Sequence, residues 1–112
     1  MRTIIPPLPV EHRRFLKGWI VESDDAMDLS EDMAEVSLPN GVLVHAGWQI
    51  GEYKITVMKG LKYLVRPVTT DSADVAASDF AELVARFAGF PYVDGVSEAE
   101  TTYFGLIREA VA

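Results

Sequence analysis

The sequence predicts an α+β fold: a four-stranded antiparallel meander over residues 34–38, 42–50, 53–58 and 61–66, with two C-terminal helices, over 72–88 and 97–111, packed on one face. Three observations carry this reading. Apolar residues alternate through four short runs, the period of a strand with one buried face. Glycine-bearing turn signals separate the runs at Pro39-Asn40-Gly41, Gly51-Glu52 and Met58-Lys59-Gly60. An apolar repeat of helical spacing then follows without another strand signal.

The turns set the expected register. Read as a three-residue loop with Gly41 left-handed, the first turn places Leu38 opposite Val42, Val36 opposite Val44 and Ala34 opposite Ala46. A two-residue Asn-Gly turn would set Val44 against Ser37 and Ala46 against Glu35. A one-residue slip moves every apolar side chain to the other face, so the three-residue loop is preferred. Gly51-Glu52, as a two-residue turn, pairs Ile50 with Tyr53, Trp48 with Ile55 and Ala46 with Val57. Met58-Lys59-Gly60 pairs Val57 with Leu61, Ile55 with Tyr63 and Tyr53 with Val65. One face then collects the valines, isoleucines and aromatics, and needs an apolar cover.

The chain supplies that cover next. Asp71 or Ser72 is a suitable N-cap. Ala76, Phe80, Leu83, Val84 and Phe87 follow on one helical stripe, and Gly89 and Pro91 end it. Ser97 and Glu100 have capping-box spacing, ahead of a second stripe of Tyr103, Leu106, Ile107, Ala110 and Val111. Residues 1–33 leave two readings open. Residues 9–17 form a short helix stopped by Gly18, or residues 19–21 add a strand beside the first strand of the meander.

Composition bounds the rest. The chain of 112 residues is sized for a single small α+β domain over 1–112, and 49% hydrophobic with 24% charged residues is a globular balance. It has no cysteine, so thiol catalysis, disulfides and thiolate metal sites are excluded. No apolar run is long enough for a membrane span, and the prolines at 6 and 7 interrupt any secretion leader, an expectation compatible with the cytoplasm. The net charge of −7 argues against nucleic acid as a partner. The charge is uneven: residues 18–51 hold seven acids and no Lys or Arg, whereas Lys54, Lys59, Lys62 and Arg66 follow close together. Alanine, valine and arginine usage suggests a bacterial source by composition alone.

Motifs of chemistry are scarce. From Asp24, acids fall at positions 1, 5, 9 and 12 of a calcium-type loop, but Ala26 and Leu29 occupy positions 3 and 6, where a ligand and glycine are needed. A short helical turn near 28–33 is the expected form of this stretch. No metal and no cofactor is predicted, and phosphate-cradling glycine loops are absent. His12 is expected to face solvent. His45 is expected mid-strand on the face opposite the core, with Glu35, Ser37, Gln49 and Thr56, which form no familiar catalytic set.

The expected role follows from what remains. A small acidic accessory or protein-binding protein without catalytic activity (inhibitor, immunity-type or chaperone-like) fits an open second sheet face, where Leu43, His45, Gln49, Lys54, Lys62, Leu64 and Arg66 would meet another protein, with a basic partner suited to the net charge. The edge strand at 34–38 is the expected seam of a homodimer. An alternative is a small-molecule pocket between sheet and helices lined by Trp48, Tyr53, Tyr63, Phe80 and Phe87, and a further one is an enzyme using His45.

Overall fold

The computed structural model describes residues 1–90, and the helix expected over 97–111 lies outside the described residues. The fold is α+β, with antiparallel sheets and one C-terminal α-helix among the described residues. The strands are β1 (Arg2–Ile4), β2 (Leu16–Gly18), β3 (Ile20–Glu22), β4 (Ala34–Ser37), β5 (Val42–Gln49), β6 (Glu52–Lys59), β7 (Lys62–Tyr63) and β8 (Val68–Thr70), and α1 spans Ala73–Ala88. The main sheet has six strands rather than four, ordered β2-β4-β5-β6-β7, with β8 also on β6. β1 and β3 form a separate two-stranded ribbon.

The first hairpin has the expected register: Ala34 opposes Ala46 and Val36 opposes Val44. Leu38 NH donates to Val42 O at 2.8 Å, and Gly41 takes φ +88. The second hairpin differs. Trp48, not Ile50, opposes the turn-proximal Tyr53, and Ala46 opposes Ile55. The turn is Ile50-Gly51, with both residues at positive φ (+50 and +81). The shift from the expected pairing is two residues, so the same side chains keep the core face. A tight Trp48–Tyr53 edge-to-face contact, centroids 4.9 Å apart, accompanies this register.

The third turn overturns the expected fourth strand. It is Gly60-Leu61, between Lys59 and Lys62, with Gly60 at φ +61. That odd shift puts Tyr63 opposite Met58, on the face away from the core, and leaves Leu61 in solvent. Pairing breaks after Tyr63: Leu64 NH reaches Val57 O at 2.8 Å, and Leu64 and Val65 both turn inward. The chain resumes pairing only at β8, where Val68 opposes Ile55.

The N-terminal third departs from both readings. A 3-10 turn replaces the helix expected over 9–17, and the strand beside β4 is β2 rather than residues 19–21, which lead into β3 of the separate ribbon. Residues Val10–Phe15 form a 3-10 helix, then β2 pairs with β4 and β3 pairs with β1. β4 is therefore not an edge: Leu16, Lys17 and Gly18 oppose Val36, Glu35 and Ala34. The homodimer seam expected at 34–38 is closed by the chain's own strand, and the new edge, β2, is three residues long with a lysine at its centre. Gly18 (φ +82) makes the step from one sheet to the other. A side chain there would run into Met33 O, which accepts from Trp19 NH at 3.0 Å. His12 is largely covered rather than solvent-facing, its side chain 17% exposed. The helical turn of the acidic stretch falls at Ala26–Asp28, ahead of the expected 28–33, with Asp25 accepting from Met27 NH.

α1 covers the core face as its stripe requires. Ala76, Phe80, Leu83, Val84 and Phe87 are all buried against the sheet, with Val36, Val44, Ile55 and Val57 beneath. Ser72 caps the helix, its Oγ accepting from Val75 NH at 3.2 Å. At the other end Asn40 of the first turn donates to the carbonyls of Phe87 and Phe90 at 2.9 and 3.0 Å. One side chain thus shapes the hairpin loop and satisfies two carbonyls at the helix end. No helix among the described residues is long and apolar enough to cross a membrane.

Candidate functional site

With α1 on one face, the other face of the sheet presents a continuous cross-strand row. Lys17 of β2 opposes Glu35 of β4, Glu35 opposes His45 of β5, and His45 opposes Thr56 of β6. Leu43, Met58 and Tyr63 form the next row, since Leu43 opposes Met58 and Met58 opposes Tyr63. The alternation that buries Val44, Ala46, Ile55 and Val57 requires these residues to point the other way.

The segment 30–33 crosses one end of this face. Trp48 NH donates to Ser30 O at 2.8 Å, and Met33 NH to Ala46 O at 3.0 Å. Between these bonds the Glu31 carbonyl lies directly over Gly47, so close that any Cβ at 47 would collide with backbone. Glycine at 47 is thus the condition for the crossing. The crossing in turn brings Asp32 to His45, with Oδ1 2.9 Å from Nε2.

Two adjoining cavities result, meeting at His45. One, about 310 Å³, is lined by Lys17, Gly18, Asp32, Met33, Ala34, Glu35 and His45. The other, about 280 Å³, is lined by Glu31, Leu43, His45, Gly47, Gln49, Lys54, Thr56, Met58 and Tyr63. The acids of 31–35 thus border the face on the β4 side, while Lys54 stands on the β6 side.

Of the residues expected to meet a partner, Leu43, His45, Gln49 and Lys54 come together in the second cavity. Leu64 does not: the break after Tyr63 turns it fully into the core. Lys62 and Arg66 are exposed but line neither cavity. The alternative pocket between sheet and helix is not assembled. Tyr53, Phe80 and Phe87 are packed core, Trp48 is half-buried against Tyr53, and Tyr63 lies on the opposite face. Tyr53 spends its hydroxyl on Val21 O at 2.6 Å, tying the ribbon to the sheet, and burial pushes its phenol up from the ordinary range.

Sequence reasoning misses Asp32, Met58 and, as a member of this face, Tyr63. Asp32 had no local signal, because only the crossing over Gly47 carries it to a histidine 13 residues away. Met58 opens the expected third turn, and the odd shift of that turn carries Tyr63 to this face.

Chemically, an imidazole held by a carboxylate resembles the base-and-orienter half of a catalytic set. The nucleophile half is missing from the hydrogen bonds around it: among the described residues His45 has no partner beyond Asp32. No three His, Cys, Asp or Glu side chains among the described residues converge to hold a metal. Comparison of the chain with protein-family models, curated proteins and solved structures finds no match in any of the three.

Proposed function

We propose that this chain is a small acidic accessory protein that binds another protein through the sheet face opposite α1. The observation that supports it most is the makeup of that face. Incompletely buried Leu43, Met58 and Tyr63 stand beside a polar row of Lys17, Glu35, His45 and Thr56, where a folded monomer has no need to keep apolar side chains. The acids at 31, 32 and 35 on its border favour a partner with a basic contact surface.

Affinity capture from the native host at low and high salt tests this with a matched pair of variants. Tyr63→Glu places a charge on the face, and Val75→Glu places one on α1 at the same fractional exposure, 45% in both cases. The expected result is one stoichiometric partner held by the parent chain and by Val75→Glu, weakened by salt and lost with Tyr63→Glu. Equal capture by both variants rejects this face.

A further inference from the structure

The second cavity contains an uncommon element. Thr56 is the one buried polar residue among the described residues, nine-tenths covered, and its side chain lines the cavity. No hydrogen bond engages its hydroxyl among the described residues. The residue is covered, yet its hydroxyl, with no protein partner among the described residues, keeps a donor open toward the cavity. One register step along β6 on the same face, Lys54 brings a cation whose hydrogen bond among the described residues is a long one, 3.4 Å to Gln49 Oε1. The rest of the wall is mixed: apolar Leu43 and Met58 with Tyr63 on one part, Glu31, His45, Gly47 and Gln49 on the other.

We infer that this cavity binds a monocarboxylate carrying an apolar body, with the carboxylate on the Thr56 hydroxyl and the Lys54 ammonium and the body against Leu43, Met58 and Tyr63. A hydroxyl donor beside an ammonium matches a planar anion that accepts from two directions. A single negative charge is specified because Glu31 also lines the cavity and repels a second one. His45, on the Asp32 side, is already engaged through Nε2 and serves as wall. The inference goes beyond the partner reading: protein binding across the face stands or falls without it.

N-acetyl-L-phenylalanine, its carboxamide, and a short peptide ending in phenylalanine with a free carboxylate are the probes, titrated calorimetrically into the full chain. The acid binds, and the carboxamide, which lacks the charge, binds about tenfold or more weakly. Lys54→Met weakens the acid about tenfold and the carboxamide far less, whereas Thr56→Val weakens both, because either probe offers an oxygen that accepts from the hydroxyl. Thr56→Val also melts no lower than the parent chain, since it removes a hydroxyl that has no partner. Tighter binding of the peptide than of the free acid assigns the carboxylate to the end of a partner chain. Equal affinity assigns it to a small-molecule acid. Equal binding of acid and carboxamide by the parent chain, or no binding of any probe, overturns the site whatever the variants do.

Discussion

At the scale of single residues, the clearest departure from local preference is Ile50. It is a β-branched residue at φ +50, fully exposed at the tip of the second hairpin. The left-handed region is costly for such a side chain, and nothing in its surroundings compensates. Ile50→Asn, giving the Asn-Gly pair that this turn favours, is expected to stabilise the fold by about 1 kcal/mol in urea unfolding. An unchanged or lower stability would place the preference elsewhere. Asp79 on α1 is a second strained choice. Burial, and then the neighbouring Glu82, push its carboxyl above the ordinary range. Its proton is held more tightly in the folded than in the unfolded chain, so the associated stability is present in acid and is lost as pH rises through the raised value. Asp79→Asn is therefore expected to melt higher than the parent at neutral pH. The difference should vanish in acid below the ordinary carboxylate range, and a gain that persists there would point to packing rather than charge.

Among the elements, segment 30–33 decides what the open face contains. Its two backbone hydrogen bonds to β5 depend on the bare backbone at Gly47, and Asp32 reaches His45 only because the crossing holds. Gly47→Ala forces the crossing away, with a loss of about 2–3 kcal/mol for two displaced backbone bonds. Amide exchange should become fast at Trp48 and Met33 while the α1 amides keep their order of protection. A variant that keeps slow exchange at both positions would show that the strand yields instead. The hairpins show how far element-level signals carry. Pro39-Asn40-Gly41 gave the right register because the Asn40 side chain and Gly41 both favour that loop intrinsically. Met58-Lys59-Gly60 misled because Gly60 suits the first position of a two-residue turn as well as the last of a three-residue one. That ambiguity, an odd shift, reversed Tyr63 and Leu64 between surface and core.

Across the whole molecule, side-chain hydrogen bonds among the described residues tie the ribbon both to the main sheet and to the helix. Tyr53 on β6 donates to Val21 on β3, and Arg2 on β1 bridges Glu22 and Asp74, reaching the first turn of α1. The Arg2 pairs are exposed and contribute little, whereas the Tyr53 bond is partly buried. Tyr53→Phe leaves the Val21 carbonyl without its donor and is expected to cost about 1–2 kcal/mol near neutral pH. The parent should also lose stability as pH rises through the raised phenol range, because the folded state holds that proton more tightly. The variant's profile should be flatter there, and parallel profiles would remove the phenol from the pH response.

Local signals in the chain set the first hairpin register, the α1 stripe with its Ser72 cap, and the division of β5 and β6 into a core face and an open one. These rest on periodicity and turn chemistry, which act over a few residues. Long-range packing settles that β2 closes the sheet edge, that Leu64 turns inward and Tyr63 outward, and that Asp32 meets His45, whose strand neighbour Thr56 has no hydrogen-bond partner among the described residues. Those outcomes depend on which distant backbone groups find each other, through a close approach at Gly18 and at Gly47. Such contacts leave no local pattern in the chain beyond a glycine, and a glycine alone does not say what it makes room for.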